Sequence, residues 1–165
     1  MRTYLSNPMR TNSSQSQPTP ASPPSRISSD PAETLLVVDD EPMIRDLEAH
    51  ILRLNGYTVL QAQDAAEALR LAGETEKIHL LITDFSMPEV DGLELSRRFR
   101  AVHPKAPVLM VSGSLPLLRD GTRDLDRVEL LAKPFAFSEL LHRVRTLLDA
   151  AETLPLPRRK QWCRD

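Results

Sequence analysis

The chain has 165 residues, of which 41% are hydrophobic and 27% charged, and its net charge is -2. This length suggests one domain, and the balanced charge argues against a protein that coats nucleic acid through excess basic charge. No apolar run approaches the ~18 residues of a transmembrane helix, and the N-terminus lacks the basic-then-apolar pattern of a secretory signal. A single cysteine, Cys163, excludes an internal disulfide and a cysteine-based zinc site. We therefore expect a soluble, cytoplasmic protein.

The two ends of the chain differ in composition from the middle. The first 30 residues contain eight serines and five prolines with few apolar residues, and such a segment cannot bury enough surface to offset its ordering entropy. The last 15 residues contain two prolines and the basic run Arg158-Arg159-Lys160. We expect a disordered tail over residues 1–32, a folded domain over 33–150 and a solvated basic tail over 151–165.

Strand patterns and helix patterns alternate through the middle of the chain. Mostly apolar runs predict strands at residues 34–38, 58–60, 79–83, 108–111 and 128–132. Three of these runs are almost entirely apolar, as expected for a parallel sheet that is covered on both faces. The weakest prediction is a helix near residues 115–126, where Pro116 and Gly121 lie close together. The alternation predicts a doubly wound α/β sandwich of five βα units, flavodoxin-like, with a five-stranded parallel sheet in the order 2-1-3-4-5.

Apolar residues at helical spacing identify the faces of three helices. They are Ile44, Leu47, Ile51 and Leu54 in the first helix, Leu95, Phe99 and Val102 in the third, and Leu140, Leu141, Val144, Leu147 and Leu148 in the last. Helix starts are indicated by Pro42 and by two capping boxes, Asp64 with Glu67 and Asp91 with Glu94. Gly56, Gly73 and Pro104 mark the predicted helix ends.

Polar residues follow four of the predicted strands directly, at the edge where ligands bind in such folds. Asp39 and Asp40 follow the first strand, Asp84 the third, Ser112 the fourth and Lys133 the fifth. Carboxylates that meet at one edge repel each other, and a hard divalent cation such as Mg²⁺ relieves that repulsion. An ionised carboxylate beside Mg²⁺ and a lysine has what it needs to accept a phosphoryl group, and Asp84 is the candidate nucleophile.

Each of these residues has a simpler explanation when it is taken alone. A single Asp after a strand is most often a helix cap or a turn residue, which would account for Asp39 or Asp40 ahead of Pro42. This explanation fits Asp84 less well, because Pro88 and Gly92 delay the next helix. The joint occurrence of all these residues at strand ends favours a functional site.

Four segments resemble the receiver domain of bacterial two-component response regulators, and the resemblance covers about residues 33–150. They are Val37-Val38-Asp39-Asp40-Glu41-Pro42, Thr83-Asp84-Phe85-Ser86-Met87-Pro88-Glu89-Val90-Asp91-Gly92, Val111-Ser112-Gly113 and Lys133-Pro134-Phe135. The intervals from Asp39 to Asp84, then to Ser112 and to Lys133 are 45, 28 and 21 residues, and they also fit that family.

The resemblance implies a role for each matching position. Asp84 corresponds to the aspartate that a histidine kinase phosphorylates, and the protein would be a phosphoacceptor with at most slow autodephosphorylation, not an enzyme. Asp40 would bind Mg²⁺ directly and Asp39 through water, and Ser86 would offer its backbone carbonyl. Ser112 and Lys133 would contact the phosphoryl group, for which Gly113 leaves room. The Lys133-Pro134 bond is often cis in the family.

The chain departs from the family pattern three residues before the lysine. The family often has Tyr or Phe there, a ring that swings inward on activation, whereas this chain has Leu130. The Gly-Ala pair that is usual in the preceding loop is replaced by Asp126-Arg127. We expect that the switch in the 112–133 region is either muted or uses the packing of Leu130 alone.

The resemblance also suggests partners and leaves alternatives open. We expect a stand-alone receiver, similar to those of hybrid histidine kinases, which accepts a phosphoryl group from a histidine kinase or a histidine phosphotransfer protein. Its output would be protein contacts, without direct DNA binding or membrane attachment, and it could form a homodimer. Alternatives are a Mg²⁺-dependent phosphatase of the haloacid dehalogenase type, which lacks its Asp-x-Asp motif here, and a phosphorylation-independent adaptor. No Gly-x-Gly-x-x-Gly motif follows the first strand to support dinucleotide binding.

Overall fold

The computed structural model describes residues 32–113 and 127–153. Within these ranges strands and helices alternate as the sequence predicts, except that the helix expected near residues 115–126 lies outside the described residues. The elements are β1 Thr34–Val38, α1 Pro42–Leu54, β2 Thr58–Ala62, α2 Ala65–Glu74, β3 Leu80–Asp84, α3 Gly92–Val102, β4 Val108–Ser112, β5 Val128–Ala132 and α4 Phe137–Thr153. In the described residues no helix combines the length and apolar character needed to cross a membrane.

The five strands form one parallel sheet in the order β2-β1-β3-β4-β5, which confirms the predicted topology. The register aligns the carboxyl ends of the inner strands. Val38 lies opposite Thr83, and Asp84 lies opposite Val111. The residues that follow or end these strands are therefore brought together at one edge of the sheet.

Both faces of the sheet are buried, as the apolar strand runs predict. Leu35 and Val37 of β1 point into one core cluster, and Leu36 and Val38 point into the other. Residues of α1 and α4 complete the first cluster, and residues of α2 and α3 complete the second. Because successive side chains of a strand point to opposite faces, an unbroken apolar strand is what two covering helix layers require.

The predicted helix starts are confirmed by their cap geometry. The Asp64 side chain accepts a hydrogen bond from the Glu67 backbone N–H at 2.8 Å, and Asp91 accepts one from the Glu94 N–H at 2.8 Å. Pro42 occupies the first turn of α1. One predicted end is wrong, because Gly73 lies inside α2, which continues to Glu74.

The predicted apolar face of α1 is also wrong. The buried residues of this helix are Glu48, Ala49 and Leu52, whereas Leu47 is 47% exposed and Leu54 is 69% exposed. A charged residue occupies a core position, so apolar spacing alone assigns the face incorrectly. Val102, at the end of α3, is likewise exposed, while the predicted face of α4 is buried or half-buried along its length.

Candidate functional site

Backbone hydrogen bonds between neighbouring strand ends hold the candidate residues at one edge of the sheet. The Phe85 N–H, directly after Asp84, donates to the Val111 carbonyl at 2.8 Å. The Lys133 N–H donates to the carbonyl of Ser112 at 2.8 Å. These bonds continue the sheet pairing past the ends of β3 and β5, so the positions of the side chains follow from the strand register.

Three carboxylates meet at this edge, as the sequence predicts. Oxygen atoms from Asp39, Asp40 and Asp84 all lie within 4.8 Å of one another. Asp39 is buried, the side chain of Asp84 is 12% exposed, and Asp40 is exposed, so the cluster is deepest at Asp39 and opens to solvent at Asp40. We call these three residues and Lys133 the acid pocket. Closely spaced carboxylate oxygens are the ligands that Mg²⁺ prefers, and the cluster therefore fits a divalent cation.

The Lys133 ammonium group bridges two of the three carboxylates. Its Nζ atom lies 3.2 Å from Asp39 Oδ2 and 3.3 Å from Asp84 Oδ2. Burial by itself would lower the pKa of Lys133, but the nearby carboxylates of Asp39 and Asp84 outweigh burial and raise that pKa above its usual value. Lys133 is therefore positively charged at neutral pH and partly offsets the repulsion within the acid pocket.

Asp39 and Asp84 are held to different degrees. Asp39 Oδ1 accepts a hydrogen bond from the Glu41 N–H at 2.8 Å, while its other oxygen faces Lys133. The Asp39 carbonyl also accepts a bond from Arg45 Nη1 at 2.6 Å. Asp84 Oδ1 has a long contact of 3.5 Å with the Ser86 N–H. Among the contacts of the described residues, the deeper carboxylate is thus held on both oxygens, whereas Oδ1 of Asp84 is held more weakly.

A glycine that sequence reasoning treated only as a delay before α3 proves to be a close-packing position. A Cβ atom on Gly92 would lie 2.5 Å from the Asp84 carbonyl oxygen and 3.1 Å from Phe85 Cα. The Gly92 N–H also donates to the Phe85 carbonyl at 3.0 Å. Gly92 therefore lets the start of α3 pack directly against the backbone of Asp84.

The remaining predicted site residues surround the acid pocket at varying depth. Ser112 ends β4 and is buried, and Ser86 is exposed. A Cβ atom on Gly113 would meet no atom of the described residues within 4 Å. Leu130 is half-buried in β5, opposite Met110 of β4. The carbonyl contact assigned to Ser86, the phosphoryl contacts of Ser112 and the switching role of Leu130 stay predictions. The Lys133-Pro134 peptide bond is cis.

Sequence reasoning missed a fourth carboxyl group close to the acid pocket. Glu48 of α1 is 3% exposed, and its Oε1 atom has no hydrogen-bond partner among the described residues. Burial, followed by the negative charge of Asp39, raises the pKa of Glu48 from 4.5 to about 7. The available signal was a charged residue between apolar ones on α1, but that pattern usually indicates a solvated position.

This five-stranded parallel sheet has the flavodoxin-like fold, with an acidic cluster and a bridging lysine at its carboxyl edge. The family profile of the response regulator receiver domain matches residues 35–145, and the chain belongs to this family. It is 36% identical over 129 residues to the response regulator MprA of Mycobacterium tuberculosis strain H37Rv, which covers 74% of this chain. The chain spans about half the length of the curated relatives it matches, 56% of that protein.

Solved structures with the same fold include other receivers. The receiver domain of the hybrid histidine kinase CckA is 37% identical with a TM-score of 0.61, and the match covers 70% of this chain and 98% of that one. The response regulator TrrA of Thermotoga maritima, solved in complex with Mg²⁺-BeF, is 32% identical with a TM-score of 0.63 and matches over 70% and 98% of the two chains. Chemotaxis protein CheY4 of Vibrio cholerae is 28% identical with a TM-score of 0.66, over 71% and 99%.

Proposed function

We propose that this receiver accepts a phosphoryl group on Asp84 in the presence of Mg²⁺. The observation that carries the proposal is the acid pocket itself. The carboxylate oxygens of Asp39, Asp40 and Asp84 lie within 4.8 Å of one another, and Lys133 bridges two of these residues. Asp40 and Asp84 would bind Mg²⁺ directly, Asp39 through water, and Ser86 through its carbonyl. When bound, the cation neutralises negative charge on the oxygens of the transferring phosphoryl group.

The side chains of the chain itself supply the remaining steps. Asp84, held less tightly than Asp39, is the nucleophile. One of its carboxylate oxygens forms a bond to phosphorus as the bond from phosphorus to the donor, a histidine nitrogen or the acetate oxygen of acetyl phosphate, breaks and the donor leaves with that electron pair. Lys133 exchanges its contact with Asp84 for one with the phosphoryl oxygens, and the Ser112 hydroxyl donates a hydrogen bond to them. Gly113 leaves the space that the phosphoryl group fills. We expect autodephosphorylation to be at most slow.

The signal leaves the acid pocket through β5. Phosphorylation adds charge at Asp84, and Lys133 and Ser112 move toward it. Because Lys133 directly follows β5, this movement shifts the population of states in that region and exposes a different surface to a partner. Leu130 responds by repacking, without the ring and hydroxyl of an aromatic residue.

Receiver domains interact with histidine kinases and with downstream effectors. For this chain we propose a histidine kinase or a histidine phosphotransfer protein as phosphoryl donor. The similarity to the receiver of the hybrid histidine kinase CckA supports a relay role. A protein target, the absence of DNA binding, a homodimer and the cytoplasmic setting all stay predictions.

Phosphorylation with acetyl phosphate and Mg²⁺, followed by intact-protein mass spectrometry, tests the proposal. We expect the wild type to gain one phosphoryl group, Asp84→Asn to gain none, and removal of Mg²⁺ with EDTA to abolish labelling. Asp149→Asn is the matched control, because Asp149 is exposed on α4 and pairs with Arg145, which also contacts Glu33 ahead of β1, at the opposite end of the strands from the acid pocket. Labelling of Asp84→Asn at another residue would refute the assignment, and turnover of a generic phosphatase substrate would favour the haloacid dehalogenase alternative.

A further inference from the structure

A buried carboxyl group lies behind the acid pocket and has no part in the proposed phosphoryl transfer. Arg45 and Glu48 share one face of α1, three residues apart. Arg45 reaches the Asp39 carbonyl at 2.6 Å, and Glu48, which follows on the same face, is 3% exposed. The Glu48 Oε1 atom has no hydrogen-bond partner among residues 32–113 and 127–153, and no hydrogen bond or ion pair is found between Glu48 and the three pocket carboxylates, all of which are described.

A buried carboxyl oxygen without a partner is costly, and the cost is far larger when the group is charged. The electrostatic surroundings add to this cost, since Asp39 and Asp84 both disfavour the ionised form of Glu48 and only Lys133 favours it. Lys133 already faces two carboxylates. While the acid pocket contains no cation, the pKa of Glu48 is raised to about 7, so Glu48 is mostly protonated below that pH, and its charge state depends on what the pocket contains.

Apolar residues of β2 and α4 pack against α1 beside Glu48. The core cluster that contains Ala49 and Leu52 of α1 also contains Val59, Leu140, Val144 and Leu148. The two arginines of α4 with ion pairs, Arg143 and Arg145, are engaged elsewhere, with Glu129 and Glu139 and with Glu33 and Asp149. His50 of α1 and His142 of α4 are exposed.

We propose that Glu48 is a positioning residue for the acid pocket, whose buried carboxyl group releases a proton to solvent when a divalent cation enters the pocket. This inference rests on the proposed Mg²⁺ site. A cation beside Asp39 and Asp84 offsets the negative charge that keeps Glu48 neutral. The ionised Glu48 then stabilises the cation in return, because coupling between two binding equilibria is reciprocal. Phosphorylation of Asp84 adds negative charge and drives the proton back onto Glu48.

Calorimetric titration of the metal-free full chain with MgCl₂ tests this coupling. Titrations at one pH in two buffers of different ionisation enthalpy give the number of protons released per Mg²⁺ bound. We expect the wild type to release a substantial fraction of one proton between pH 6 and 7, and its Mg²⁺ affinity to rise by up to about tenfold per pH unit there. Glu48→Gln, which has nearly the same shape but cannot ionise, should lose this release and this pH dependence. Glu74→Gln, an exposed Glu on α2, is the matched control and should behave as the wild type.

A second measurement on the wild type keeps the test decisive if Glu48→Gln does not fold. In protein with ¹³C-labelled glutamate, the side-chain carboxyl resonance of Glu48 should move to its ionised position when MgCl₂ is added at pH 6.5. Mg²⁺ binding without proton release, or equal release by Glu48→Gln, would overturn the role of Glu48 and leave the metal site intact. Failure of the wild type to bind Mg²⁺ at all would overturn the metal site and, with it, this inference.

Discussion

The burial of Glu48 predicts that this residue makes the protein less stable as the pH rises. The pKa of Glu48 is raised from 4.5 to about 7 in the folded chain. Between these two values the folded state holds a proton that the unfolded state has lost, so the free energy of unfolding falls with increasing pH. At about 1.4 kcal/mol per pKa unit, this shift corresponds to about 3 kcal/mol in total. The penalty is absent below pH 4.5 and complete above pH 7.

Glu48→Gln removes the ionisation and should therefore change the pH profile of stability. We expect the free energy of unfolding of the variant, relative to the wild type, to rise by about 3 kcal/mol from pH 4.5 to pH 8. Urea denaturation in the presence of EDTA, at intervals of half a pH unit, measures this difference. Taking the difference cancels the titration of all other groups, because both proteins share them.

The control is Glu74→Gln, which changes a residue whose side chain is 60% exposed. Its stability difference from the wild type should stay within about 0.5 kcal/mol at every pH, as is usual for surface substitutions. Parallel profiles for Glu48→Gln and the wild type would show that Glu48 ionises as freely in the folded chain as in the unfolded one. That result would refute the electrostatic reasoning, since neither burial nor Asp39 would then affect the residue.

Two further substitutions test the geometry of the acid pocket. Lys133→Met removes the ammonium group that faces Asp39 and Asp84. We expect this variant to bind Mg²⁺ at least several-fold more tightly by calorimetry, because the cation no longer competes with the lysine. Weaker Mg²⁺ binding would contradict this prediction. Gly92→Ala places a Cβ atom 2.5 Å from the Asp84 carbonyl oxygen and should lower stability by about 1–3 kcal/mol in urea denaturation. Gly73→Ala has no atom within 4 Å of its Cβ and should instead raise stability by about 0.5–1 kcal/mol; equal effects would refute the close-packing argument.

The sequence was sufficient to predict the sheet and most of the acid pocket. Apolar runs such as Leu80–Ile82 require burial on both faces, which a parallel sheet between helix layers provides. Once the strands are parallel, their carboxyl ends share one edge, and the residues after them must meet there. Asp39, Asp84 and Lys133 therefore converge although they are far apart in the chain.

Features that depend on packing distance could not be predicted in this way. The buried face of α1 includes Glu48, and no apolar spacing rule assigns a carboxylate to a core. The requirement for glycine at position 92 comes from the distance between α3 and the Asp84 backbone, which is a tertiary property. The sequence shows which residue types are present, whereas the cost of burying a charge depends on how closely the elements approach one another.

Three parts of the molecule adjoin the acid pocket or interact with its charges, so a bound cation or phosphoryl group affects more than one of them. A pocket of about 260 Å³ lined by Asp40, Asp64 and Glu89 among others adjoins the acid pocket at Asp40, so negatively charged groups lie beside the cluster. Lys133 reaches the same carboxylates from the end of β5. Glu48, which is buried in α1, interacts electrostatically with the carboxylates of Asp39 and Asp84. Because a cation or a phosphoryl group changes the balance of charge for both Lys133 and Glu48, its arrival affects two separate elements, β5 through a moving ammonium group and α1 through a proton.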